Sequence, residues 1–441
     1  MGSVVVGLGK TGASCVRYLA RHGVEVSATD SRREPPGLAD LGELAQELDL
    51  RLGSFDLSLL DGASQLLMSP GISLEEPIAR RARERGIEVL GDIELFARAV
   101  RAPVIGVTGT NGKSTVTSLV AHMALCAGRR VLAGGNLGVP ALDLLDGPVP
   151  ELYVLELSSF QLQTTSSLKL IGAVVLNVTA DHMDRYDSIE SYARAKARIF
   201  ARATTVVLNA DDAVVAAMRR RGTRTLTFGV QRADADFTLV EAGGTTWLAR
   251  HGERLLDTAK LKIPGRHNAA NALAALALGE AAALPYPAML RALETFPGLP
   301  HRSEWIADIA GARYIDDSKG TNVGATIAAV AGTAQPLVLI AGGEGKGQDF
   351  APLADAFRGK VRHAVLIGKD AQAIAAALAG VCGCEFAASM PDAVAAASRL
   401  ARPGDVVLLS PACASLDMFR DYNHRGDVFA ASVRALAGGT A

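Results

Sequence analysis

Val104-Ile105-Gly106-Val107-Thr108-Gly109-Thr110-Asn111-Gly112-Lys113-Ser114-Thr115 is the stretch on which the reading of this chain turns. Four apolar or small residues, 104 to 107, form a short buried strand; a glycine-rich turn follows, and a helical run continues to about Ala127. A glycine turn opening onto a helix aims backbone N–H groups and the positive end of the helix dipole at an anion. The spacing departs by one residue from the usual phosphate loop of Gly, four residues, Gly-Lys-Ser. Five residues separate Gly106 from Gly112, and Val107 stands where the first Gly is wanted. The backbone from Gly109 to Thr115 still suffices to ring phosphates, with Lys113 on the terminal ones and the Ser114 hydroxyl on Mg²⁺. ATP is the expected ligand. A plain turn before a helix is the competing reading, and Lys-Ser-Thr at the helix start argues against it.

Outward from this loop, strands and helices alternate through Val131 to Leu132, Tyr153 to Leu157, Ala173 to Asn177 and Thr205 to Leu208, with antiparallel-looking polar strands around Thr223 to Leu255. This predicts a doubly wound α/β domain over 95–298. Glu156 ends one strand just before Leu157-Ser158-Ser159-Phe160-Gln161, where a metal-holding acid belongs in such sites. His182, in Thr179-Ala180-Asp181-His182, follows the next strand; taken alone it reads as a loop histidine, beside Lys113 and Glu156 as a ligand. Tyr192 to Arg198 reads as a helix whose Arg194, Lys196 and Arg198 form a solvated basic face.

The N-terminal segment, 1–94, opens with Val4-Val5-Val6, then Gly7-Leu8-Gly9-Lys10-Thr11-Gly12, a helix to about His22, and a strand from Val24 to Thr29 closing on Asp30. This is a Rossmann-like unit that places a diphosphate on a helix N-terminus; alone it suggests a nicotinamide cofactor. The C-terminal segment, 299–441, begins after the turn-rich Pro297-Gly298-Leu299-Pro300 and again alternates strand and helix. Two of its strand-end loops, Asp316 to Asn322 and Gly342 to Gly347, each hold one Lys amid small residues, suited to a carboxylate or phosphate; a plain turn competes in each case.

Composition agrees with three α/β domains in 441 residues: 49% hydrophobic, 21% charged, 45 Gly against 18 Pro. Forty-five basic and 46 acidic residues give a net charge of −1, so no global field favours nucleic acid or an anionic membrane. The most apolar helix-like stretch, Ala269 to Leu284, carries Asn271 and Glu280 and is too short to span a bilayer. Five scattered cysteines and Met1-Gly2-Ser3 running directly into Val4 without a secretory pattern lead us to expect a reducing cytoplasm. Only ten of the 45 basic residues are Lys, so each Lys is a candidate for chemistry that a guanidinium cannot do.

In order along the chain stand Gly-Thr-Asn-Gly-Lys-Ser-Thr (109 to 115), Gly-Asn-Leu-Gly (135 to 138), Glu-Leu-Ser-Ser-Phe-Gln (156 to 161), Asp-His-Met-Asp-Arg-Tyr (181 to 186), Lys196, Gly-Arg-His-Asn-Ala-Ala-Asn (265 to 271), His301-Arg302, Asp-Asp-Ser-Lys-Gly-Thr-Asn (316 to 322) and Ser-Pro-Ala-Cys-Ala-Ser (410 to 415). This ordered set resembles the Mur ligases across essentially the whole chain, including their off-by-one phosphate loop.

The resemblance implies a Rossmann-like N-terminal domain, a central P-loop ATPase-like domain and a Rossmann-like C-terminal domain. It implies ATP-dependent amide-bond synthesis in cytoplasmic peptidoglycan precursor formation, by a monomer that neither binds nucleic acid nor inserts in a membrane. The alanyl carboxylate of UDP-N-acetylmuramoyl-L-alanine takes the γ-phosphoryl group, and the D-glutamate amine attacks the acyl phosphate. By the same resemblance, Lys113, Glu156, His182 and Lys196 are catalytic. Ser114, Glu156, His182 and a carbamylated Lys196 hold two Mg²⁺, which overrides the basic-face reading of Lys196. Asn268, Asn271, Arg302 and Asp317 join the loop residues in binding ATP. Gly9, Lys10, Thr11, Asp30, Ser31, Arg32, Ser69, Pro70 and Gly71 bind the uridine diphosphate, displacing the nicotinamide reading. Asn136, Ser158, Ser159 and His182 also face the UDP-substrate. Lys319, Thr321, Lys346, Ser415, Leu416 and Tyr422 form the D-glutamate pocket, Tyr422 standing where the family pattern has Phe. An NAD(P)-linked oxidoreductase and a non-catalytic nucleotide switch are the competing classes; ATP consumption argues against the first, and D-glutamate-dependent phosphate release against the second.

Overall fold

The computed structural model describes residues 2–263 and 265–439. Among these, twenty strands form three sheets. The first consists of β1 (Gly2–Val6), β2 (Val26–Asp30), β3 (Asp49–Leu52), β4 (Ala63–Met68) and β5 (Glu88–Leu90) in the order β3-β2-β1-β4-β5, parallel throughout. The strand order reverses beside β1, and the turn from Gly7 to Gly12 leaves from that point, where open α/β sheets bind ligands.

The second sheet takes β6 (Val104–Thr108), β7 (Val131–Gly135), β8 (Leu152–Glu156), β9 (Gly172–Val175), β10 (Thr205–Asn209), β11 (Arg224–Phe228), β12 (Phe237–Ala242), β13 (Thr245–Arg250) and β14 (Glu253–Asp257) in the order β14-β13-β12-β11-β10-β9-β6-β8-β7. β6 is buried along its whole length, as a central parallel strand covered on both faces must be. The polar strands expected around 223–255 divide: β11 pairs parallel with β10, and the antiparallel part is β12 to β14. The buried helix expected from Ala269 runs Arg266–Ala281.

The third sheet comprises β15 (Glu304–Ile309), β16 (Ala312–Asp316), β17 (Leu337–Gly342), β18 (Val361–Ile367), β19 (Gly383–Phe386) and β20 (Val406–Leu409), ordered β15-β16-β20-β17-β18-β19. Only β15 among these pairs antiparallel. β20 inserts between β16 and β17, so the loops leaving the C-terminal ends of these three strands lie side by side.

The chain forms two compact units. One takes the residues up to Val178, Glu190–Lys260 and Asn271–Thr295; the other takes Thr179–Ile189, Leu261–Ala270 and Phe296 onward. The first unit contains the first two sheets, and polar contacts pin them together. Asp143 accepts from the Ser14 hydroxyl and from Arg17, both at 2.7 Å. Phe96 meets Tyr153 edge to face, with centroids 5.3 Å apart. Glu94, buried on the helix Asp92–Ala99, accepts from the backbone N–H groups of Ser166 (2.7 Å) and Ser167 (3.0 Å). Burial alone would raise that carboxyl, but these bonds and Arg98 prevail and hold it at about 2. Among the described residues no helix is long and apolar enough to cross a membrane.

Candidate active site

The loop Gly109–Gly112 leaves β6 with β8 on one side and β9 on the other, which brings Glu156 and Asn177 to its flanks. Gly109 and Gly112 both have positive φ, +152° and +83°, a region that L side chains rarely enter. At Gly112 a Cβ would also stand 2.6 Å from the Asn271 amide oxygen, so Asn271 lies against the phosphate loop. Asn177 braces the loop as a second backbone strand would: its Oδ1 accepts from Asn111 N (2.8 Å), its Nδ2 donates to Asn111 O (3.1 Å), and its own carbonyl accepts from Thr110 N (2.9 Å).

Two ammonium groups converge on one carbonyl of this loop. Lys113 Nζ donates to Gly109 O at 2.9 Å and to Thr110 O at 2.7 Å; Lys196 Nζ donates to the same Gly109 O at 2.8 Å. Lys196 is 1% exposed and also sits 4.2 Å from the centroid of the Tyr192 ring. The basic-face reading of this helix is therefore overturned for Lys196. Arg194 and Arg198 are exposed, whereas Lys196 faces inward with Tyr192. Residues two apart on a helix do not share a face, so the sequence did carry the distinguishing signal.

Glu156 is buried at the end of β8, and its Oε1 accepts from Asn136 Nδ2 at 2.6 Å. Ser114, also buried, is the second residue of the helix Lys113–Cys126. A carboxylate and a hydroxyl here are hard oxygen donors, the set that suits Mg²⁺. Ser158 opens the next short helix with a capping box: its Oγ accepts from Gln161 N, while Gln161 Oε1 accepts from Ser158 N at 3.0 Å. Gln161 Nε2 in turn donates to the buried Asp92 at 2.9 Å. Sequence reading missed Asp92, Asn177 and Tyr192: the first two meet partners 69 and 66 residues away, and the Tyr192 hydroxyl meets that of Thr110, 82 residues away.

In the N-terminal fold, a Cβ on Gly12 would overlap the Gly7 carbonyl, so only glycine lets the helix Lys10–Arg21 pack on the first turn. Lys10 and Thr11 begin that helix; Lys10 is exposed. Asp30 is buried and turned inward, accepting from Leu8 N (2.7 Å) and from Arg32 (2.7 and 2.9 Å). Burial works to raise its carboxyl, but the Arg32 and Leu8 bonds outweigh that and lower it. Asp30 therefore shapes the turn. Ser69 Oγ donates to Gly7 O at 2.6 Å, drawing the Ser69-Pro70-Gly71 loop to the same place.

His182, Asn268, Arg302, Asp317 and the residues assigned to the amino acid fall in the second unit. His182 has φ +58° and stands beside Asp181, with Nε2 to Oδ2 at 3.7 Å. Asp317 accepts from Ser410 Oγ (2.8 Å) and Ser303 N (3.2 Å). Burial pushes its carboxyl up to about 7, against the Ser410 bond and the Arg302 charge. Lys319 Nζ lies 3.8 Å from the Tyr422 ring centroid, which places these two predicted pocket residues together. Arg425, fully buried, donates to the Ser318 hydroxyl and carbonyl and to the Cys413 carbonyl, joining the β16 and β20 loops. Lys346 has φ +52°; Ser415 is buried and Leu416 exposed.

Three family models match in succession: the Mur ligase MurD-like N-terminal domain at residues 2–91, the Mur ligase middle domain at 107–279, and the Mur ligase glutamate ligase domain at 301–413. The chain belongs to the Mur ligase family and is an ATP-dependent ligase. Two of the curated proteins it is similar to bear the same name. UDP-N-acetylmuramoylalanine–D-glutamate ligase of Nitrosococcus oceani is 54% identical over 438 residues, 98% of this chain and 96% of that protein. The protein of the same name from Methylococcus capsulatus is 51% identical over 435 residues, 98% and 95% of the two chains. Among solved structures, UDP-N-acetylmuramate-alanine ligase MurC of Thermotoga maritima aligns with TM-score 0.65 at 20% identity over 99% of each chain, a likeness of fold.

Proposed function

We propose that this chain joins D-glutamate to UDP-N-acetylmuramoyl-L-alanine at the expense of ATP, in the cytoplasm, through an acyl phosphate. The observation that carries the reading is the phosphate loop flanked by buried Glu156 and buried Lys196, in a chain about half identical over its length to proteins named for that reaction. An alanyl carboxylate oxygen attacks the γ-phosphorus, and the bond to the β–γ bridging oxygen breaks to release ADP. The glutamate amine then attacks the acyl carbon, loses a proton, and the carbon–oxygen bond to phosphate breaks.

Bringing a carboxylate to a triphosphate sets anion against anion, so fixed positive charge and oriented N–H groups carry most of the catalysis. Lys113 and those amides of the Gly109 to Thr115 loop that Asn177 does not already engage supply these on the nucleotide. Ser114 and Glu156, with His182 and a carbamylated Lys196, would hold two Mg²⁺, whose charge screens the phosphates when bound. A neutral Lys196 amine takes up carbon dioxide and releases a proton, leaving an anionic carbamate. The shared Gly109 carbonyl supports this, since two ammonium ions on one acceptor repel each other and the carbamate removes one of them.

Within this reading Asn268, Asn271, Arg302 and Asp317 hold adenine, ribose and phosphate. Gly9, Lys10, Thr11, Asp30, Ser31, Arg32 and Ser69 to Gly71 hold uridine diphosphate around the turn that Asp30 also shapes, and Asn136, Ser158, Ser159 and His182 face the rest of that substrate. Lys319, Thr321, Lys346, Ser415, Leu416 and Tyr422 receive D-glutamate. The proposed domain limits are 94 and 298, and the working form a monomer. The test is phosphate release from ATP with UDP-N-acetylmuramoyl-L-alanine and, in turn, D-glutamate, L-alanine, L-lysine and diaminopimelate. Release with D-glutamate alone is expected; release only with another amino acid refutes the assignment of acceptor.

A further inference from the structure

Gln348 ties three loops together with one side chain. Its Oε1 accepts from the backbone N–H of Val323 at 2.9 Å, its Nε2 donates to the Gly345 carbonyl at 2.8 Å, and the same Nε2 stands 3.5 Å from the Ala412 carbonyl. These partners lie on the loops that follow β16, β17 and β20, which the strand order makes neighbours. The amide can face only one way, because reversing it would set its oxygen against two carbonyls and its NH₂ against an N–H.

Each contact holds something local structure leaves loose. Val323 N–H is a first-turn donor of the helix Val323–Gly332, which lacks an intrahelical partner; the Asn322 cap takes Ala325 N instead. Gly345 precedes Lys346, a non-glycine residue in the left-handed region at φ +52°, so the direction of the Lys346 side chain depends on how Gly345 is held. Asp370 takes the Gly345 N–H at 2.6 Å, and Gln348 takes its carbonyl. On the β20 side, a Cβ on Gly343 would overlap the Ala414 carbonyl, so two of the loops already touch and tolerate little slip.

We propose that Gln348 is a positioning residue for the amino-acid substrate. It fixes the register of the loop with Lys319 and Thr321, the loop with Lys346 and the loop with Ser415 without touching the substrate itself. This rests on the reading that these three loops receive D-glutamate.

The experiment is steady-state kinetics on the full chain for wild type, Gln348→Met and Gln348→Glu. Methionine keeps the length and removes every hydrogen bond, and losing bonds of ordinary strength raises KM for D-glutamate about tenfold. KM for ATP and for the UDP-substrate should stay within about twofold and the melting temperature within a few degrees, as expected for a partly exposed loop residue. Glutamate adds a finer readout. Protonated, it presents one donor and one acceptor as the amide does; ionised, it faces two carbonyls with a carboxylate. Partly buried and facing two carbonyl oxygens, that carboxyl titrates above its ordinary value of about 4.3, so the ratio of its KM for D-glutamate to that of wild type should climb as pH rises from about 5 to about 8. Equal change in all three KM values, or none, overturns the role of Gln348, and so does a pH-independent ratio for Gln348→Glu. Absence of wild-type turnover with D-glutamate overturns the substrate reading instead, so the two failures are distinct.

Discussion

Asp92→Asn should make the protein more stable near neutral pH. Asp92 is 2% exposed, and burial drives its carboxyl from 3.8 up to about 6 against the Gln161 bond and two backbone N–H groups. Among the described residues its Oδ1 has no hydrogen-bond partner. An acid with its folded-state pKa above its unfolded value binds more protons when folded, so stability is lost as pH rises through the folded pKa. A displacement of this size costs about 3 kcal/mol once both states are ionised. Asparagine mimics the protonated acid: it still accepts from Gln161 and places a donor where the acid has its O–H. The variant should gain about 1–2 kcal/mol over wild type at pH 5 and about 3 kcal/mol at pH 8. The chain has two tryptophans, Trp247 in the first unit and Trp305 in the second. Urea unfolding followed by Trp247 fluorescence in a Trp305→Phe background reads the unit that holds Asp92. A stability difference that does not change with pH, or a variant less stable at pH 8, refutes the reasoning. What the carboxylate contributes in exchange is orientation, since a group that only accepts leaves Gln161 a single amide orientation toward Ser158.

Asn177→Ala removes both side-chain bonds that brace Asn111, at about 1 kcal/mol each. KM for ATP should rise roughly ten- to thirtyfold in initial-rate assays, and an unchanged value would contradict the bracing role. Tyr422→Leu should raise KM for D-glutamate about threefold to thirtyfold by losing a ring–ammonium contact worth about 0.5–2 kcal/mol, while Tyr422→Phe stays near wild type. Equal effects of the two would place the contribution in the hydroxyl. Lys196→Ala should abolish turnover, with added bicarbonate restoring nothing; near-normal activity would end the carbamate proposal.

How far the sequence revealed this site depended on how local each signal was. The phosphate loop was legible because strand, glycines, lysine and helix start are contiguous, and only the backbone is needed to make the cradle. Glu156 was legible by its position at the end of an apolar strand. The edge strands β15 and β19 escaped notice: β19 reads Gly-Cys-Glu-Phe and is mostly exposed, so no alternation marks it. Gln348 and the Asp92–Gln161 pair escaped for another reason. Gln161 lies 69 residues from Asp92, and Ala412 lies 64 from Gln348. Only the strand order brings such partners together, and no spacing rule along the chain encodes it. Lys196 lay in between, its burial readable from its phase against Arg194 and Arg198 but hidden by the charge of its neighbours.

The fate of one oxygen distinguishes the acyl-phosphate route from any other. With the alanyl carboxylate of the UDP-substrate labelled with heavy oxygen, a single turnover with ATP and D-glutamate should pass one labelled atom into the released inorganic phosphate, read by mass spectrometry. Unlabelled phosphate, with one label kept in the amide of the UDP-linked product and the other lost to water, would contradict the acyl-phosphate route and the arrangement of loop, carboxylate and lysine proposed to serve it.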